Sequence, residues 1–245
     1  MVFVINSGDE EKSELIPETG EEKEPEGEEL PLSEEELDKV PQVIVLSPPS
    51  SSGSDEDKPK VRAIGLIGNV DEDRASEVIY GMMIMKKTAQ KKVLVDEEDP
   101  SKGTELTCQP FELIISTFGG SAFEMLGIYD MMKQVREDCD IKTLGIGKVM
   151  SAGVLLLAAG TKGQRRIGAN CRVMIHSVIG GSHGAIHDLE NEMEEIKWMQ
   201  ERYIKILAQE TKMTERYIKG LLKKKINVYL DAEKAVELGI ADIIV

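Results

Sequence analysis

The sequence predicts an α/β fold over residues 61–245, built on a mostly parallel sheet. Two observations carry this reading. Apolar runs of strand length alternate with stretches of ten or more residues whose apolar positions keep helical spacing, the signature of βαβ crossovers. Glycines also stand where a run gives way to a helix, above all Gly119-Gly120.

Taken in order, Val61–Ile67 reads as a buried strand ended by Gly68-Asn69. Asp71 is a suitable N-cap for a helix to about Lys87, with Val78, Met82 and Met85 at helical spacing. Residues 88–110 are polar, with Val93-Leu94-Val95 as a strand candidate and residues 99–103 as a turn. Phe111–Thr117 is a second buried strand, and Gly119-Gly120 opens a helix over roughly 122–137. A strand over 142–146 leads to Ser151, which begins an apolar helix ending near Gly160. Residues 171–176 form another short apolar strand. After the glycine-rich link Gly180–Gly184 comes a long helix over 185–210, whose apolar residues from Ile186 to Ile206 step by three and four. Periodicity alone leaves two readings of that stripe. The helix packs on its own sheet, or it protrudes to build a subunit interface.

Residues 1–60 are of another kind. They hold 18 acidic and 5 basic residues, a net −13 of the chain's −15, together with seven of its nine prolines and a single aromatic, Phe3. Such a stretch cannot bury enough apolar surface to offset its conformational entropy, so it is expected to be a disordered extension. The remaining 185 residues are nearly neutral, with 27 acids and 25 bases. They carry no basic patch interleaved with aromatics, so nucleic-acid binding is not expected. The longest apolar run, Val149–Ala159, is far below the roughly 20 residues that span a bilayer. The N-terminus turns acidic at once and does not read as a signal peptide. Three widely spaced cysteines, Cys108, Cys139 and Cys171, are expected to be reduced thiols, which points to the cytoplasm.

Three features bear on chemistry, and each has a plainer reading. The Gly119-Gly120 pair lets the backbone approach a ligand and aim amides at an anion, but glycine pairs more often only turn a strand into a helix. Ser151 stands at a helix N-terminus, where the helix field and the Ala152 amide would stabilise an oxyanion beside it; serine is also a common N-cap. His176 closes the apolar strand Val173-Met174-Ile175, where ligands bind in α/β sheets, yet a satisfied core histidine is as natural there. His183 and His187 have the i, i+4 spacing of a metal pair, but no third ligand accompanies them, so a solvated junction is expected and no metal or other cofactor.

In order and separation these features resemble the ClpP family of self-compartmentalising serine peptidases. The resemblance rests on the glycine pair, Met150-Ser151-Ala152-Gly153, and Arg172-Val173-Met174-Ile175-His176 with the glycine-rich loop after it. It extends to Gly68-Asn69-Val70-Asp71, Gly127–Met132 and Tyr229–Asp242, covering residues 61–245 in one collinear order. It implies a ClpP/crotonase-like βαβ superhelix, with the helix from Ala185 as the handle between two stacked heptamers. Ser151 would be the nucleophile, His176 the general base, and the amides of Gly120 and Ala152 the oxyanion hole. An AAA+ unfoldase would deliver unfolded protein substrates.

The pattern departs in places. Asn227 stands where the family usually has the aspartate of the triad, which fixes the histidine tautomer and stabilises the imidazolium. Asp231 lies four residues on. Phe118 replaces a proline before the glycine pair, Ser177-Val178 replaces Gln-Pro after the histidine, and residues 88–110 are longer than the family's connection. Val40–Ile44 resembles the family's axial segment, but Ser50–Lys60 lacks the apolar residues of its first helix. Asn227 keeps a weakly active or non-catalytic ring subunit in play, and a phage-type capsid-maturation peptidase shares the fold. A crotonase acting on acyl-CoA would leave Ser151 and His176 unexplained. An α/β-hydrolase is disfavoured, because Val149 stands where its elbow needs glycine.

Overall fold

The computed structural model describes residues 61–94, 99–181, 183–223 and 227–245; the readings made for residues 1–60 and for Val95 lie outside them. Strand β1 (Ala63–Val70) is followed by helix α1 (Glu72–Ala89), and Asp71 caps that helix by accepting from the Arg74 amide at 3.0 Å. Glu72 and Asp73 in its first turn and Lys86 and Lys87 in its last complement the helix dipole.

In place of the single strand expected between 88 and 110, there are two. Strands β2 (Gln90–Leu94) and β3 (Thr104–Cys108) pair antiparallel from Gln90↔Cys108 to Leu94↔Thr104. The expected turn lies between them: Asp99 accepts from the Ser101 amide and hydroxyl, and Gly103 turns with φ +87°. The polar composition of this hairpin conceals it from an apolar-run criterion.

The remaining elements are β4 (Phe111–Gly120), α2 (Ala122–Arg136), β5 (Ile141–Met150), α3 (Ala152–Ala158), β6 (Arg165–Ile167) and β7 (Arg172–Ile175). They are followed by α4 (Ile186–Glu210), α5 (Glu215–Leu222), β8 (Val228–Leu230), α6 (Ala232–Glu237) and β9 (Ile243–Ile244). The large sheet runs β1-β4-β5-β6-β9 with all neighbours parallel, as predicted. It forks at β5. Thr143–Gly145 pair with β6, whereas Lys148–Met150 pair with β7, and Gly147 at φ +63° supplies the bend between the two halves. β7 in turn pairs antiparallel with β8.

Helix α3 lies at the centre of the core, and every one of its seven residues is buried. It packs so closely on β4 that a Cβ on Gly153 would stand 2.5 Å from Thr117 Cγ2. Helix α4 packs on the core over only part of its length. Met199, Tyr203, Ile204, Ile206 and Leu207 in its second half are buried, while Ile186, Leu189 and Met193 of the first half are exposed.

Charge is buried where α4 ends. Glu210 accepts from Tyr129 Oη at 3.0 Å and from Arg136 at 2.7 and 3.2 Å, and Lys162 Nζ lies 3.4 Å from its carboxylate. Arg165 donates to the Glu210 carbonyl at 2.6 Å and forks onto Asp242, tying α4 to the last strand. Burial pushes the Glu210 and Asp242 carboxyls up, but Arg136 and Arg165 outweigh it and hold both below their ordinary values of 4.5 and 3.8. This stabilisation is complete above those ordinary values and is lost as pH falls through the lower folded-state ones. Urea titration of Glu210→Gln is expected to show a loss of about 3 kcal/mol at neutral pH, with the difference from wild type shrinking below pH 4.

One expectation is corrected. Cys108 and Cys139 are joined in a disulfide that ties β3 to the turn between α2 and β5; only Cys171, buried and with its thiol pushed up to about 11, is free. Sequence separation conceals the pairing, because the hairpin brings its end back beside the start of β5.

Candidate active site

Ser151 joins β5 to α3 with φ 55° and ψ −117°, the only non-glycine residue at positive φ among the described residues. Such a backbone costs about 1–3 kcal/mol and persists only when its surroundings enforce it. The enforcing contacts are visible. The Ser151 amide donates to the Met174 carbonyl of β7 at 2.8 Å, the Tyr203 hydroxyl lies 3.5 Å from the Ser151 carbonyl, and the residue is 3% exposed. The plainer reading of this serine, an N-cap, does not hold, because its hydroxyl makes no capping hydrogen bond.

The two glycines divide their work. A Cβ on Gly119 would stand 2.5 Å from Ser151 Cβ and 3.0 Å from its Oγ, so this residue must be glycine for the serine to sit there. Its amide donates to Thr117 Oγ1 at 2.9 Å. Gly120 meets β1 instead, where a Cβ would fall 2.2 Å from the Val70 carbonyl oxygen. Sequence reasoning marks Gly119 only as half of a pair, and it does not single out Met174 or Tyr203 at all. Their contribution lies in backbone approach and in contacts to carbonyls, which residue type does not announce. Ala152 opens α3, and the first amides of a helix have no intrahelical acceptor.

His176 follows β7 directly. The alternation along this strand, with Val173 and Ile175 buried and Met174 not, carries His176 onto the face opposite the core. Burial pulls its pKa below the ordinary imidazole value of 6.5, so the ring is neutral at pH 7 and can accept a proton. If His176 is the base, kcat/KM for peptide cleavage falls on the acid side with a midpoint below pH 6.5, measured as a pH–rate profile; a midpoint above 7 would assign that limb to another group.

β7 and β8 pair as Val173↔Leu230, Met174↔Tyr229 and Ile175↔Val228. His176 and Asn227 each lie one residue beyond the end of this ladder, so the same register, if continued, would set them opposite each other on one face. Asp231 continues the same register the other way, toward Arg172, and its carboxylate accepts from the Lys234 amide at 2.8 Å as the cap of α6. Asp231 is therefore engaged elsewhere. Ser151, His176, Gly119 and Gly120 lie at or just past the C-terminal ends of β4, β5 and β7, the side of a parallel sheet where ligands bind. His187, by contrast, is solvated beside Glu190.

Comparison with known proteins shows the family of the chain. The model of the Clp protease family matches residues 101–245. The chain is 33% identical over 171 residues to the ATP-dependent Clp protease proteolytic subunit 1 of Prochlorococcus marinus subsp. pastoris, covering 68% of this chain and 82% of that protein. Subunit 1 of Prochlorococcus marinus strain MIT 9312 is 32% identical over the same shares. No helix among the described residues is long and apolar enough to cross a membrane.

Proposed function

This chain belongs to the Clp protease family, and from that premise we propose that it is a proteolytic subunit that hydrolyses peptide bonds through an acyl-enzyme on Ser151. The observation that carries this reading is the strained, uncapped Ser151 held against the bare Cα of Gly119. His176 takes the proton from Ser151 Oγ as the hydroxyl attacks the scissile carbonyl. The amides of Gly120 and Ala152 receive the oxyanion, aided by the N-terminus of α3. The imidazolium then gives its proton to the departing amine, and water, deprotonated by His176, releases the acyl group. Asn227 orients the ring through its carbonyl but adds no charge.

Assembly belongs to the same proposal. The exposed apolar half of α4 is suited to burial between copies of this chain, in keeping with stacked heptamers, and an AAA+ unfoldase would feed the chamber with unfolded protein. Cytoplasmic residence is also part of it, although the Cys108–Cys139 bond weighs against a reducing compartment. Residues 1–60 are proposed as an extension distinct from the peptidase domain of 61–245.

Asn227 favours a second reading, a ring subunit with little activity of its own that assembles with active partners. Intact-mass spectrometry after fluorophosphonate treatment separates the two. A single adduct on the wild-type oligomer, absent from Ser151→Ala, is the expected result; a folded oligomer that takes up no adduct supports the non-catalytic subunit.

A further inference from the structure

Lys148 of β5 and Arg172 of β7 are direct partners in the parallel ladder. Their neighbours Val149 and Val173 are fully buried, so both cations point to the opposite, open face of the sheet, as do Met150 and Met174. Two positive side chains in direct register on adjacent strands repel each other. Among the described residues, no carboxylate comes within ion-pair distance of either one. Arg136, Lys162 and Arg165, which also stand close together, are neutralised by Glu210 and Asp242. The pair on the open face has no such carboxylate among the described residues, and it adjoins the candidate site.

Its surroundings resemble a subsite. Lys148 Nζ lies 4.6 Å from the centroid of the Phe118 ring, a cation–π contact that holds the ammonium between β4 and β5. Phe118 is 61% exposed and immediately precedes Gly119. Met150 and Met174 stand between the cations and the pair Ser151 and His176, and exposed Tyr229, the register partner of Met174, flanks them. From Met150 to Lys148 along the strand is roughly 7 Å, within the span of one extended acidic side chain meeting a lysine or arginine.

We infer that Lys148 and Arg172 form a specificity subsite that takes a carboxylate of the peptide substrate next to the scissile bond. The carboxylate relieves the repulsion between the two cations and gains charge-assisted hydrogen bonds from both, while Met150, Met174 and Tyr229 receive its aliphatic stem. The carboxylate belongs either to a Glu or Asp side chain or to the peptide's own C-terminus. The inference rests on Ser151 as the nucleophile only for where the peptide lies.

The test uses the full-length oligomer and quenched fluorescent peptides of one sequence, carrying Glu, Gln or Lys in turn at each position flanking the cleavage site. Each peptide is made with a free and with an amidated C-terminus. The Glu peptide is expected to exceed the Gln peptide in kcat/KM by about tenfold at low salt, with the ratio shrinking as salt is added. That ratio should fall to near one in Lys148→Gln and turn in favour of the Lys peptide in Lys148→Glu. A preference that follows the free terminus, whatever the side chain, assigns the pair to the terminal carboxylate. The same peptides are also titrated by fluorescence anisotropy onto Ser151→Ala, which reads the subsite without turnover. Equal affinity for Glu, Gln and amidated peptides there overturns the inference. Glu-selective binding in a protein that takes up no fluorophosphonate would instead remove Ser151 as nucleophile and leave the subsite standing.

Discussion

Replacing Ser151 with alanine is expected to lower kcat for peptide cleavage by about 10⁵-fold or more, to the level set by binding and oxyanion donors alone. The size of the loss follows from covalent catalysis, because without Oγ no acyl-enzyme can form and His176 has no proton to take. The variant should still fold. The serine hydroxyl caps nothing, and the backbone bond from the Ser151 amide to the Met174 carbonyl does not depend on the side chain. Initial rates on a quenched peptide, with oligomer size checked by light scattering, provide the measurement. Residual turnover above about a hundredth of wild type in a correctly assembled variant would mean that another group is the nucleophile.

Asn227→Asp is expected to raise kcat/KM by about 10²-fold, within the roughly 10⁴-fold that separates the two side chains in the best-studied serine triad. Continued one residue past its last pair, Ile175↔Val228, the β7–β8 register would set residue 227 on the face of His176, where a carboxylate could accept from the ring, fix the tautomer and stabilise the imidazolium of the transition state. Because Asn227 is exposed, the new charge meets little desolvation cost. The pH profile should move with the rate. A neighbouring carboxylate raises an imidazole pKa, so the acid limb shifts to higher pH than in wild type while its plateau rises. A faster enzyme with an unmoved limb would mean that the introduced carboxylate acts other than through His176. An unchanged rate would mean that Asn227 is not the third member.

Most of the sheet was legible because its strands are short apolar runs bounded by turn residues, as at Phe111–Thr117, and because Asp71 is a cap type at a suitable place. Strand β6 was not, since Arg165-Arg166-Ile167 presents charge where a buried strand presents apolar residues. Arg165 is buried there only because Asp242 and the Glu210 carbonyl, far away in sequence, accept its hydrogen bonds. The site divides in the same way. Ser151 and His176 stood out through their order after glycines and apolar runs, whereas Gly119 could not be ranked against Gly120 until β1 and Ser151 were seen on their respective sides. Asn227 is singled out by the family resemblance and not by its own surroundings, whereas the Lys148–Arg172 pair depends on which residues oppose each other across strands, and register between segments distant in sequence is absent from local composition.

The β7–β8 ladder also has a consequence for how the protein is made. A ribosome delivers the chain from its N-terminus at roughly 5–20 residues per second, and long-range strand pairing forms late in folding. The glycines, the serine and the histidine all emerge well before Asn227, which directly precedes β8. If Asn227 orients His176 as proposed, the base is fully prepared only once that strand has docked. On that assignment a nascent chain would reach its full activity only when its synthesis is almost complete, a safeguard for neighbours that are themselves still unfolded.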